Sequence, residues 1–397
     1  MCRARSSSAC RAAGRGSVPA DMDVMRSETS LKIRLFAAAV PALLVLILAV
    51  YTEPMTRLHP MFAEGGDHLV YIEMADKPLQ PYAPPYCYRL LMPTIAGALP
   101  FTLAVNFYLL TLLFTIGTGI LLFYVMRDIG MSDFDSFMGV VLFYSLNWGT
   151  KFVLFDFWLT ESALFFFAVL SLWMILRRRD GWLVLSLCMA VLSKESALFL
   201  LPLIYTLRAR RLFDGAALLR AAVVSVAPIM LYLFLRLLVP ANNSYSPLSL
   251  WNEIGMQRLT GGLAGYLRGG TVGTWGIAAL LLPAVCGGRG RGFALRSIPF
   301  LLLVYLQPFF AVNVDRLLVL AFIVVIPLAA DGLRNIRDRF RLSHWMAAGY
   351  VFTPFMVILI KSGYQSPSPE QQLLFLAIWT VPVAVVKWRG RVSLIGG

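Results

Sequence analysis

The chain has 397 residues, of which 59% are hydrophobic and only 14% are charged, against about 25% charged in an ordinary soluble domain. With a mean hydropathy of +0.73, that balance excludes a single soluble core and places most of the chain in lipid. The formal net charge of +14 would point to nucleic acid in a soluble protein, so here it is read by position along the chain.

Residues 1–33 are rich in Arg, Ser and Ala and read as a disordered cytoplasmic tail. The apolar run behind them lacks a small-residue cleavage site, so a retained first helix is expected rather than a removed signal peptide. Apolar segments then recur at 34–51, 102–125, 136–150, 158–176, 182–193, 196–207, 216–239, 272–287, 297–312, 317–330, 344–361 and 371–388. A spanning helix needs about 20 mostly apolar residues. The expectation is an all-α polytopic transmembrane helix bundle of about 10–12 spans. It forms one transmembrane domain over 34–391, with a short cytoplasmic tail at 392–397. Two long outer loops interrupt it, at 52–101 and 240–271. The first is expected to carry short helices.

Segments 182–193 and 196–207 are too short to cross a bilayer singly. Arg177, Arg178 and Arg179 precede the pair, and Arg208, Arg210 and Arg211 follow it. Basic residues gather on the cytoplasmic side. A hairpin entering from that side, with Lys194 and Glu195 at its tip, keeps both ends inside. A single tilted helix with a buried Lys–Glu pair is the other reading. With the hairpin, most of the 35 Lys and Arg fall inside, and both termini are cytoplasmic. The positive balance is then a topology signal and not a nucleic-acid footprint.

The five cysteines, Cys2, Cys10, Cys87, Cys188 and Cys286, show no CxxC spacing, and the three histidines are scattered. Neither a disulfide framework nor a zinc site is expected. Ionisable groups at membrane depth are costly and mark function. Here they occur at nearly every outer link: Glu64, Asp67, Glu73, Asp76 and Arg89 in the first loop, then Lys151, Asp156 and Glu161, then Lys194 and Glu195, then Asp315 and Arg316. The pattern predicts one polar cavity opening outward. In the first loop, Gly65 and Gly66 precede Asp67, which suits a helix N-cap, with Tyr71 one turn further on the same side. The plainer readings stay open: capping for Asp67, snorkelling for Arg89, a mutual ion pair for Lys194 and Glu195, and interfacial anchoring for Asp315 and Arg316.

The element Gly-Asp-x-x-x-Tyr, followed by Tyr-Arg-Leu-Leu-x-Pro, resembles bacterial GT-C glycosyltransferases, polytopic enzymes that use polyprenyl-phosphate-linked sugars. Phe-Trp-Leu-Thr-Glu ending at Glu161, Val-Leu-Ser-Lys-Glu-Ser at 191–196 and Val-Asp-Arg-Leu-Leu at 314–318 are similar to later segments of that family. The resemblance spans roughly 35–335 and rests on the order of motifs that are each weak alone. It departs at the acid, since Asp67 has no adjacent acidic neighbour where many members carry a pair.

The resemblance implies an integral membrane glycosyltransferase in the bacterial inner membrane, with the first outer loop folded over the cavity and Asp67 as catalytic base. Sugar moves from the polyprenyl phosphate to a hydroxyl on a glycan or lipid acceptor of the cell envelope. The chemistry needs a carboxylate to take the acceptor proton and cations for the departing phosphate. Arg89, Lys194 and Arg316 are the phosphate candidates. Glu161, Glu195 and Asp156 stand as orienting or sugar-binding groups, and Tyr71, Tyr86, Tyr88 and Trp158 as stacking surfaces. The partners are the lipid-linked sugar, the acceptor and membrane lipids. No cofactor is expected: Asp67, Glu64 and Asp156 offer oxygens of the kind Mg²⁺ takes, but without ligand spacing. Two alternatives remain, a multispan transporter or lipid-linked sugar flippase, and a polysaccharide polymerase or ligase.

Overall fold

The structure, a computed structural model, describes residues 20–242, 251–285, 289–310 and 313–360. The expected span at 371–388, the tail at 392–397 and residues 1–19 lie outside the described residues. Among those described, every regular element is helical, apart from an isolated bridge pair between Tyr82 and Ala241.

Helix α1 runs from Ala20 to Val50, so residues 20–33 of the expected disordered tail are helical instead. That stretch holds neither Pro nor Gly, and half of it is good helix formers. The first loop then folds into short helices, as expected: α2 (Pro60–Ala63), α3 (Asp67–Asp76), a 3-10 turn at Tyr86–Tyr88, and α4 (Leu91–Ala98). Gly66 turns the chain into α3 at φ +154°, a value that side-chain-bearing residues avoid. Helix α4 lies so close to α3 that a Cβ on Gly97 would meet the carbonyl oxygen of Ala75 at 2.4 Å. Glycine is what lets the two helices touch.

Next come α5 (Leu103–Ile129), α6 (Asp133–Tyr144) and the short α7 (Phe152–Phe155). A π turn at Asn147–Lys151 separates the last two, and the element is bent by 73° there. The expected straight span at 136–150 is therefore a broken one. Helices α8 (Glu161–Arg177), α9 (Asp180–Ser193) and α10 (Leu201–Arg208) follow, with a 3-10 turn at Glu195–Leu200 between α9 and α10. Then come α11 (Gly215–Leu238), α12 (Met256–Trp275), α13 (Ile277–Leu281), α14 (Arg289–Leu306), α15 (Val314–Leu318), α16 (Phe322–Phe340) and α17 (His344–Ile360).

Among the described residues, five helices are long and apolar enough to cross a membrane, or six if the bent pair is one span. Leaving aside 371–388, this is fewer than the sequence predicts for the described residues, and the reason is local. The expected span at 272–287 is divided at Gly276, and half of the expected loop at 240–271 is helix α12. Segment 158–176 becomes a helix of 17 residues that starts only at Glu161.

Residues 180–208 fold as a hairpin and not as a single tilted helix. The far ends of its two arms meet, with Arg208 Nη1 at 2.6 Å from Asp180 Oδ1 and Arg208 also donating to the carbonyls of Met174 and Ile175. Arm α9, with 14 residues, rises about 21 Å. The helix breaks at Lys194, whose backbone is extended (φ −166°, ψ 139°). Segment 314–340 forms the centre of the bundle, with 94% of its apolar window buried. Phe322 packs its ring on Phe143 and Phe165, at 4.7 and 5.3 Å between centroids. Helix α11 is the opposite case, with 22% of its window buried. Its Val223, Met230, Phe234 and Leu237 are exposed, as apolar residues facing lipid are. The protein is a membrane-embedded helical bundle.

Candidate functional site

Six chain segments converge at one end of the bundle. The link after α1 is pinned by Met55, whose N–H donates to Phe155 O at 2.7 Å and whose carbonyl accepts from Trp158 Nε1 at 2.8 Å. This places residues 156–161, and so Glu161, beside the first loop. The hairpin tip brings Lys194 and Glu195 to the same level, and α15 brings Arg316. Asn242 N–H donates to Tyr82 O at 3.1 Å, tying the first loop to the chain leaving α11.

The charged side chains interlock. Arg316 reaches Glu161 Oε1 through Nε at 2.6 Å and Asp67 Oδ2 through Nη1 at 2.7 Å. Lys194 Nζ lies 2.7 Å from the same Glu161 oxygen. Arg89 grips Glu195 with two donors, Nε at 3.1 Å and Nη2 at 2.7 Å, and its Nη1 donates to the Tyr71 hydroxyl at 2.9 Å. Three cations thus meet the carboxylates of Asp67, Glu161 and Glu195. Burial of the Lys194–Glu161 pair is nearly complete, with side chains 5% and 2% exposed.

A cleft of about 600 Å³ opens against this network. Asp67, Arg89, Lys194, Glu195 and Arg316 line it, together with Pro84, Pro85 and Tyr86 of the first loop. Phe199, Leu303, Leu306, Phe310 and Leu317 give it an apolar portion, interrupted by Gln307 and Asn313. Of the sequence candidates, Tyr71, Asp156 and Glu161 stand behind the wall instead. Tyr71 is fully buried and fixes Arg89, so stacking on a sugar is not open to it. Trp158 is likewise buried, packed on Phe107 and Phe157. Lys151 turns away to donate to Ile358 O at 2.6 Å. Asp315 accepts from Thr274 Oγ1 at 2.8 Å, and Glu64, Glu73 and Asp76 are exposed. Among the described residues, no group of three or more His, Cys, Asp or Glu is placed to hold a metal ion.

Asp67 is not the cap of α3. Gly66 occupies the N-cap position and no side chain caps the helix. The carboxylate is spent on Arg316 instead, which separates its role from simple helix capping. Burial, reinforced by the Asp67 charge, pushes the Tyr86 hydroxyl up to about 12, so it remains a proton donor beside that carboxylate. Asp156 has a buried Oδ1 with no partner. Burial raises it to about 8, with Arg316 pulling down and Glu161 and Asp67 pushing up, so it keeps its proton at neutral pH.

The site also contains a residue the sequence reading left among the membrane helices. Arg236, in the last turn of α11, lines the cleft, and its guanidinium carbon lies 4.2 Å from the Tyr88 ring centre and 5.2 Å from that of Tyr232. Its signal was a lone arginine inside the apolar run Leu-Tyr-Leu-Phe-Leu-Arg-Leu-Leu. No family model matches the chain, and no characterised protein matches it.

Proposed function

We propose that the protein is an integral membrane glycosyltransferase of GT-C type, moving a sugar from a polyprenyl-phosphate donor to a hydroxyl acceptor on the extracytoplasmic side of the bacterial inner membrane. The observation that carries the reading is the shared cleft. It presents a carboxylate, Asp67, among buried cations together with apolar surface from Phe199, Leu303, Leu306, Phe310 and Leu317, and Tyr232 and Arg236 of a lipid-facing helix line it too. A sugar on a lipid-anchored phosphate asks for both kinds of surface at once. In the reaction, Asp67 takes the proton of the acceptor hydroxyl as its oxygen bonds to the anomeric carbon. The bond from that carbon to the phosphate oxygen breaks, and the electron pair leaves on the phosphate. Cations offset the charge that develops there. Because phosphate leaves readily, no second carboxylate is needed to protonate it, in contrast to glycoside hydrolysis. Arg316 holds Asp67 in place.

The test is transfer from labelled polyprenyl-phosphate sugars in membranes containing the full chain. Asp67→Asn is expected to lower transfer by about 10²-fold or more while the protein stays folded. Full-rate transfer by that variant would remove Asp67 as base. Absence of transfer from every such donor by the wild type would remove the enzyme reading.

A further inference from the structure

Which groups receive the lipid's phosphate is a question of charge balance, and it rests on the reading above. The sequence candidates Arg89, Lys194 and Arg316 are already engaged. Arg89 has two donors on Glu195, Lys194 is on Glu161, and Arg316 joins Glu161 to Asp67. Three positive charges against three negative ones leave little net attraction for an incoming anion. Two donors stand outside this balance. Arg316 Nη2 and Arg236 Nε are both buried with no acceptor in the protein. A buried polar group without a partner costs free energy, more so when charged, and a phosphate oxygen is the acceptor a guanidinium satisfies best.

Arg236 differs further from the other three cations. Among the described residues it has no carboxylate partner. It lies instead over the faces of Tyr88 and Tyr232, contacts that hold a cation without cancelling its charge. Its neighbours on α11 face outward, with Leu237 83% and Phe234 57% exposed. The free charge therefore sits where the cleft meets lipid, as a headgroup on an isoprenoid chain requires.

We infer that Arg236 is the main electrostatic anchor for the single phosphate group of a polyprenyl lipid, with Arg316 Nη2 as the second donor. Arg89 and Lys194 then act as positioning residues that hold Glu195 and Glu161. One unbalanced cation also suits a monophosphate better than a diphosphate.

The experiment measures binding of a long-chain polyprenyl phosphate to the purified full chain in lipid nanodiscs, against the polyprenol of equal length. Wild type is expected to prefer the phosphate, and R236Q to lose about tenfold or more of that affinity while its polyprenol affinity is unchanged. R236K and Tyr88→Leu are expected to lose several-fold, and they carry the test should R236Q unfold. Wild-type phosphate affinity in R236Q, or in both R236K and Tyr88→Leu, overturns the inference and leaves the transfer reading standing. Equal wild-type affinity for phosphate and polyprenol overturns both. Binding that depends on Arg236 without any transfer supports the phosphate site and sinks the enzyme reading alone. Inorganic phosphate is expected not to displace the lipid at matched concentration; displacement would make the ligand a soluble phosphate and overturn the lipid-borne source.

Discussion

Ion pairs gather at both ends of this bundle, and water treats the two ends differently. At the end where α8 joins α9, Arg177 holds Asp128 with side chains 48% and 26% exposed. Pairs of that kind are screened and worth about 0–1 kcal/mol. At the opposite end, Lys194, Arg316 and Glu161 are 5%, 10% and 2% exposed and share oxygens in one network. Removing such charges from water is expensive, and their mutual attraction does little more than offset it. Buried charges occur at the first end too, Arg337 with Asp135 between α16 and α6 and Arg208 with Asp180 between the hairpin arms, but Asp180 and its second partner Arg220 there are 27% and 52% exposed. A connected, buried set of charges around a cleft is poorly explained as stabilisation. It is better explained as geometry held ready for a ligand.

The largest effect expected from this contrast is at Glu161. Glu161→Ala strips two buried cations of the carboxylate they share, and a loss of about 3–5 kcal/mol is expected. Thermal unfolding in detergent reads it, and a loss no greater than that at an exposed pair would erase the distinction between the ends.

The second effect is on pH dependence. Asp156 is raised in the folded protein, to about 8, while the unfolded chain releases that proton near 4. Between those values the folded state holds the extra proton, so this group makes stability fall as pH rises, with the fall complete above about 8. Asp156→Asn is neutral in both states. Its melting temperature relative to wild type is expected to climb steadily from pH 5 to pH 8 and then level off. A gap that is flat over that range would mean that Asp156 is charged in the fold.

The smallest effect is expected at the exposed end. Asp128→Ala removes the acceptor of both Arg177 and Trp173 Nε1. It should still cost no more than about 1 kcal/mol. A cost of several kcal/mol would show that the two ends are built alike.

Much of this was legible in the sequence, for definite reasons. Arginines on both sides of 182–207 dictated the hairpin, because topology follows charge and charge is local. Charged residues at membrane depth announced the site, since each is too costly to keep without a purpose. The span count was not legible. Hydropathy averages over a window, so it passes over the bend after Tyr144 and the break at Gly276. Nor was the division of labour between cations. Which arginine is neutralised depends on contacts between residues 106 to 155 positions apart, such as Arg89–Glu195 and Arg316–Glu161. Asp67 looked like a cap because its neighbours along the chain are turn-forming glycines, and only the fold supplies Arg316 as its partner.

The bridge between Tyr82 and Ala241 has a mechanical consequence. The segment bearing Asp67, Tyr86 and Arg89 is stitched to the end of the helix bearing Arg236, by backbone at Tyr82 and by ring contact at Tyr88. The acid and the lipid-facing cation are therefore bolted to one jaw. An arriving acceptor therefore meets the acid and that cation as one unit, facing Leu303, Leu306 and Phe310 across the same cleft.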